Sequence, residues 1–170
     1  MQDGNGPRGS GPSNGRDKMT ARILEGMKVA VLTETEFIPE EMHYYREQFP
    51  KLGARVDFIT QRWDEWPRTL VSDVTKPGEQ PQTMTVNLDV SELDFRDYDI
   101  VLQAANYTAV RLREIPPQGS HGSVADTRKV PAVKFFADAM RNRRIVKGAL
   151  CHGLWILTPT TLKVMWRVLP

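Results

Sequence analysis

The sequence predicts an α/β three-layer sandwich around a mostly parallel sheet. Three observations carry that reading. Val29 to Leu32 form a short, unbroken apolar run with β-branched residues, the pattern of a strand buried on both faces. A helical pattern and a second strand follow at once, giving a β-α-β start that favours a right-handed crossover. Along the whole chain the order is β-α-β-β-β-α-β, and a short helix follows the last strand.

After "MKVAVLTETEF", Pro39 suits the first turn of a helix, and Glu40 and Glu41 suit its positive end. Met42, Tyr45, Phe49 and Leu52 recur at helical spacing, Pro50 loosens the last turn, and Gly53 can end it. "RVDFIT" is the second strand. Residues 61–82, with Trp63, Trp66 and three prolines, read as irregular loop. "TMTVNLDV" puts Met84, Val86, Leu88 and Val90 on alternate positions, as in a half-buried strand. Ile100 to Gln103 give another parallel-type strand, and residues 114–130 a polar loop. "PAVKFFADAMRNRR" is a helix with Pro131 at its start and a stripe of Val133, Phe136, Ala137 and Met140. "IVKGALC" is the last strand, ending at Cys151.

Composition narrows the classes. A chain of 170 residues makes about one domain, and 40% hydrophobic with 26% charged residues reads as globular. Residues 1–22 are poor in apolar side chains and are read as a disordered tail, with 23–170 as the folded domain. A net charge of +2 gives no footprint for nucleic acid, and no apolar run reaches the length of about 18 residues that a membrane span needs. Neither partner is expected. The single cysteine cannot form an internal disulfide and fits a cytoplasmic location. His43, His121 and His152 share no metal-ligand spacing, and no glycine-rich phosphate loop exists, so neither a metal nor a cofactor is expected.

In open α/β sheets, sites lie at the carboxyl ends of the strands. Thr33 to Glu41, Gln103 to Asn106, and Cys151 to Gly153 meet there. "ALCHG" fits a nucleophile elbow: Ala149 and Gly153 are the small residues that a sharp strand-to-helix turn needs around Cys151. The following helix would favour thiolate, and the His152 amide could donate to an oxyanion. On spacing alone the alternative stays open, that Cys151 is a small buried residue and His152 a bystander. Glu36, Glu40 and Glu41 have a bland reading too, as charges suited to a helix start.

These segments together resemble the ThiJ/PfpI family, the Parkinsonism-associated deglycase family of the class I glutamine-amidotransferase-like superfamily. "MKVAVLTETEFIPEEM", "VNLDVSELDFRDYDIVLQAAN" and "VPAVKFFADAMRNRRIVKGALCHGLWILTP" carry the resemblance, roughly over Met27 to Pro159. It implies a flavodoxin-like sandwich and a homodimer. It implies cysteine-dependent action on a carbonyl, as an amidase or peptidase or as a glyoxalase or deglycase. The alternative it carries is a non-catalytic redox-responsive or chaperone-like protein, or an inactive truncated member. The substrate would be a small carbonyl or amide compound.

By the same resemblance Cys151 is the nucleophile, His152 assists proton transfer, and Glu41 is the cleft glutamate that touches the cysteine. Glu36 is a second acidic position and Asn106 a further candidate. The backbone amides of Ala105 and His152 would hold the oxyanion. Three departures stand out. Ala104-Ala105-Asn106 replaces the family's Gly-Gly pair, and "NYTAVRLR" offers no carboxylate to meet a neighbouring subunit's histidine. The ending "TTLKVMWRVLP" does not resemble the family's further strands, so the chain reads as truncated at its C-terminus with an exposed strand edge.

Overall fold

The computed structural model describes residues 22–74 and 76–162. The expected tail, apart from Arg22, and the unmatched ending from residue 163 lie outside the described residues.

Four parallel strands form the central sheet in the order β2-β1-β5-β6. They are β1 (Lys28–Leu32), β2 (Arg55–Ile59), β5 (Ile100–Gln103) and β6 (Val146–Ala149). Helix α1 (Pro39–Lys51) crosses from β1 to β2, as the opening pattern requires. The residues of β1 alternate between two cores. Ala30 and Leu32 join Ile59, Val101 and Phe136 on the side of α4 (Pro131–Arg141). Val29 and Val31 join Met42, Tyr45, Leu70 and Val86 on the side of α1. Both faces of the sheet are therefore covered, which accounts for the unbroken apolar run at Val29 to Leu32. The chain folds as an α/β sandwich of the expected flavodoxin-like kind.

The stretch 61–82 is not all loop. It holds β3 (Arg68–Val71), which pairs antiparallel with β4 (Thr83–Val86) as a separate two-stranded sheet. The strand expected through Val90 stops at Val86. Asp89 ends it by accepting a hydrogen bond from the Ser91 amide and capping a 3-10 turn over Val90–Glu92. Pro50 lies inside α1, which runs to Lys51 and turns off through Gly53 at φ +93°. Two short helices follow β5: α2 (Thr108–Arg111), and α3 (Val124–Thr127), which is capped by Ser123 and interrupts the stretch 114–130 read as loop. In α4 more is buried than the expected stripe, Ala132, Phe135 and Ala139 included, because 3-10 segments flank it.

The hairpin is tied to the sheet by a buried ion pair. Arg68 Nη2 donates to Glu34 Oε1 at 2.8 Å, and Thr60 Oγ1 donates to Glu34 Oε2 at 2.7 Å. Removing one partner would leave the other as an uncompensated buried charge.

Candidate functional site

Three non-glycine residues among those described adopt a left-handed backbone: Glu36 at φ +70°, Asn106 at +59° and Cys151 at +49°. Such conformations cost about 1–3 kcal/mol each and gather where function fixes them. These three lie just beyond the carboxyl ends of β1, β5 and β6, which are neighbours in the sheet. The segments expected to converge do converge.

At β6, Cys151 opens a 3-10 helix, Cys151–Leu157, and is exposed. The segment is short and wound as 3-10, so the dipole support expected from a full helix is small. Gly153 is required for another reason. A Cβ there would stand 2.9 Å from the Ala104 carbonyl oxygen and 3.0 Å from that of Gln103. Only glycine lets the elbow sit on the end of β5. The left-handed turn at Cys151 brings the next side chain back, so that His152 Nδ1 lies 3.4 Å from the Cys151 sulfur. The thiol can donate to Nδ1, and the protonated ring can donate back to the thiolate. No hydrogen bond among the described residues uses the His152 amide.

Glu41 is placed differently from the implied role. Its carboxylate accepts from the Ala105 amide, at 3.0 and 3.2 Å, and from the Tyr45 hydroxyl at 2.8 Å. It takes no hydrogen bond from Cys151. The physical reason is reach and local pairing: Tyr45 stands one helical turn on, and the open Ala105 amide lies at the end of β5. Ala105 accordingly offers its N–H to Glu41, not to an oxyanion. Burial pushes the Glu41 carboxyl above its ordinary value, and the Tyr45 and Ala105 hydrogen bonds oppose that shift. Burial and then the Glu41 charge push the Tyr45 hydroxyl up.

Glu36 is held as a support. Arg111 grips it with two hydrogen bonds of 3.0 Å, from Nε and Nη2, and gives Nη1 to Glu114 at 3.0 Å. These bonds, Glu36 first, raise the Arg111 guanidinium above its ordinary value. Asn106 Nδ2 donates to the Glu36 carbonyl and to Asp73 Oδ2, both at 2.9 Å. Two strained residues thus brace each other. Glu114 is buried and also accepts from the Gly119 amide at 2.6 Å. Sequence reasoning missed Arg111, Glu114 and Asp73 as parts of this brace. The Arg111–Glu114 contact is a local one at a spacing of three, but the bonds of Arg111 to Glu36 and of Asp73 to Asn106 join segments far apart in the chain, which no local spacing marks.

An aromatic group completes the β6 side. The His152 ring stacks on Tyr107 with centroids 5.3 Å apart and tilts against Trp155 at 4.2 Å. Among the described residues no group of three or more His, Cys, Asp or Glu is placed to hold a metal ion, and no helix is long and apolar enough to cross a membrane.

A scan against protein-family models gives no match, and neither does a search of curated protein sequences. Solved structures are similar in fold. A two-domain protein of Anabaena variabilis ATCC 29413, containing DJ-1/ThiJ/PfpI-like and ferritin-like domains, superposes with a TM-score of 0.57 at 20% identity, over 78% of this chain and 32% of that one. A ThiJ/PfpI domain protein of Brachyspira murdochii does so with a TM-score of 0.54 at 15% identity, over 78% of this chain and 62% of that one. The chain spans less than two thirds of the length of either protein. At the level of the fold, the chain is similar to the ThiJ/PfpI-like domains.

Proposed function

We propose that the protein is a cysteine-dependent enzyme acting on a small carbonyl compound, an amide or a reactive α-oxoaldehyde. The observation that carries this reading is the exposed Cys151, held at φ +49° on a strand end with His152 Nδ1 3.4 Å from its sulfur. That is the geometry of an activated nucleophile beside a base. Cys151 passes its proton to His152, and the sulfur lone pair forms a C–S bond. The carbonyl π pair moves onto oxygen, where the His152 amide can donate to it. His152 then returns the proton: to that oxygen with an aldehyde, giving a thiohemiacetal, or with an amide to the nitrogen, as the oxygen pair re-forms the carbonyl, the C–N bond breaks and the amine leaves, after which water cleaves the acyl–sulfur bond and restores the thiol. Glu41 and Glu36 act on the framework, through the Ala105 amide and through Arg111. A homodimer in the cytoplasm, needing no cofactor, belongs to the same reading.

The test is Cys151→Ser against methylglyoxal and small amide substrates. Turnover by the wild type and its loss in the variant are expected, and equal rates would sink the idea. One observation favours a second reading. With the Ala105 amide taken by Glu41, one of the two expected oxyanion donors is spent, which suits a redox-responsive thiol better than an acyl-transfer enzyme. Mass spectrometry after mild peroxide separates the two: sulfinic acid on Cys151 without turnover supports the redox role.

A further inference from the structure

We propose that Tyr107 and Trp155 are positioning residues that clamp the His152 ring, so that its Nδ1 faces the Cys151 sulfur. This inference rests on the Cys151–His152 pairing proposed above.

The clamp has two walls of different origin. Trp155 follows His152 by three residues in a 3-10 helix, which has three residues per turn, so side chains at that spacing eclipse. In an α-helix the two would be offset. The eclipse accounts for the 4.2 Å between their ring centroids, at an interplanar angle of 52°. Tyr107 arrives from the end of β5, directly after the left-handed Asn106, and stacks on His152 at 5.3 Å and 22°. The two walls meet edge to face at 6.1 Å.

Both walls are themselves held. Asn106 is tied to Glu36 and Asp73, which fixes the approach of Tyr107. The Trp155 carbonyl accepts from Arg113 Nη1 at 3.0 Å and from Thr158 Oγ1 at 2.9 Å. Yet the two rings stay open to solvent, Tyr107 at 45% and Trp155 at 39% of full exposure. Neither belongs to the two hydrophobic cores among the described residues. The three ring centroids form a triangle, so Tyr107 and Trp155 bear on the His152 ring from adjacent sides and limit how it turns. An aromatic face also presents partial negative charge to an imidazolium, the form His152 takes when it holds the thiol proton.

The probe is iodoacetamide, which the single cysteine reports cleanly: the sulfur displaces iodide and a C–S bond forms. An ordinary thiol is only a few per cent thiolate near neutrality, which leaves room for roughly three- to tenfold slower alkylation when the partner is misplaced. Tyr107→Ala and Trp155→Ala should each slow the reaction towards the rate of His152→Ala, while Tyr107→Phe and Trp155→Phe keep the wild-type rate. If His152→Ala is slow but both alanine variants match the wild type, the clamp is wrong and the Cys–His pair stands. If His152→Ala alkylates as fast as the wild type, the pair itself fails and the clamp with it. A measurement on the wild type covers variants that do not fold. Ring currents from two walls should move the His152 ring-proton resonances upfield of those of His43 and His121, which enter no ring pair among the described residues. Coincident resonances would overturn the proposal.

Discussion

The ends of β1 and β6 lie on either side of β5, and they are built in opposite ways. At β1 the carboxylates of Glu34, Glu36 and Glu41 are all engaged, by Arg68 and Thr60, by Arg111, and by Ala105 and Tyr45. At β6, Cys151 is exposed, and among the described residues its sulfur has one hydrogen-bond partner, His152. The difference separates support from chemistry. Charges that are spent on hydrogen bonds hold the strand ends at fixed distances. The thiol is kept solvent-accessible and lightly partnered, which is what a nucleophile requires.

This contrast can be broken from the support side first. Arg68→Ala leaves Glu34 buried without its cation and should cost about 3–5 kcal/mol, read from urea unfolding. A loss under about 1 kcal/mol would mean that Glu34 finds water instead. Next in size is Gly153→Ala. Its Cβ meets two carbonyl oxygens at about 3 Å, so the elbow must lift from β5. A destabilisation of about 1–3 kcal/mol is expected, with slower alkylation of Cys151, because the same shift moves His152. Unchanged alkylation would show that the elbow does not depend on its seat.

The smallest effect concerns Glu41 and has a definite sign. Its folded-state pKa lies above the ordinary 4.5, chiefly through burial. The folded state therefore binds the proton more tightly than the unfolded chain does. Glu41 contributes stability below its unfolded value, and that contribution is lost as pH rises through the raised folded value. The stability of the wild type should fall relative to Glu41→Gln across that window, measured by paired urea titrations at each pH. A difference that grows the other way would mean that the Ala105 and Tyr45 hydrogen bonds outweigh burial.

The sequence disclosed the parts whose reasons are local. The runs of β1, β5 and β6, the Pro39 and Pro131 helix starts, and the small residues around Cys151 all report on their own neighbourhoods. What it hid depends on partners far along the chain. β3 places Arg68 inward, which reads as a loop residue until Glu34 is known to lie beneath it. Nothing in the sequence singles out Arg111, and its two carboxylates come from the β1 end and from just beyond its own helix. The roles implied for Glu41 and Ala105 met the same limit. A resemblance can align a glutamate with a cleft, but whether the carboxylate meets the thiol or an amide turns on the nearest open donor. The reach of His152 was hidden as well, since adjacent residues diverge unless the backbone between them turns left-handed, as it does at Cys151.

A crystal structure of the reduced protein tests the central contrast most directly. The account predicts the Cys151 sulfur open to solvent within hydrogen-bond reach of His152 Nδ1, with Glu41 on the Ala105 amide. A buried sulfur, or a Glu41 carboxylate turned onto the thiol and away from Ala105, would contradict it.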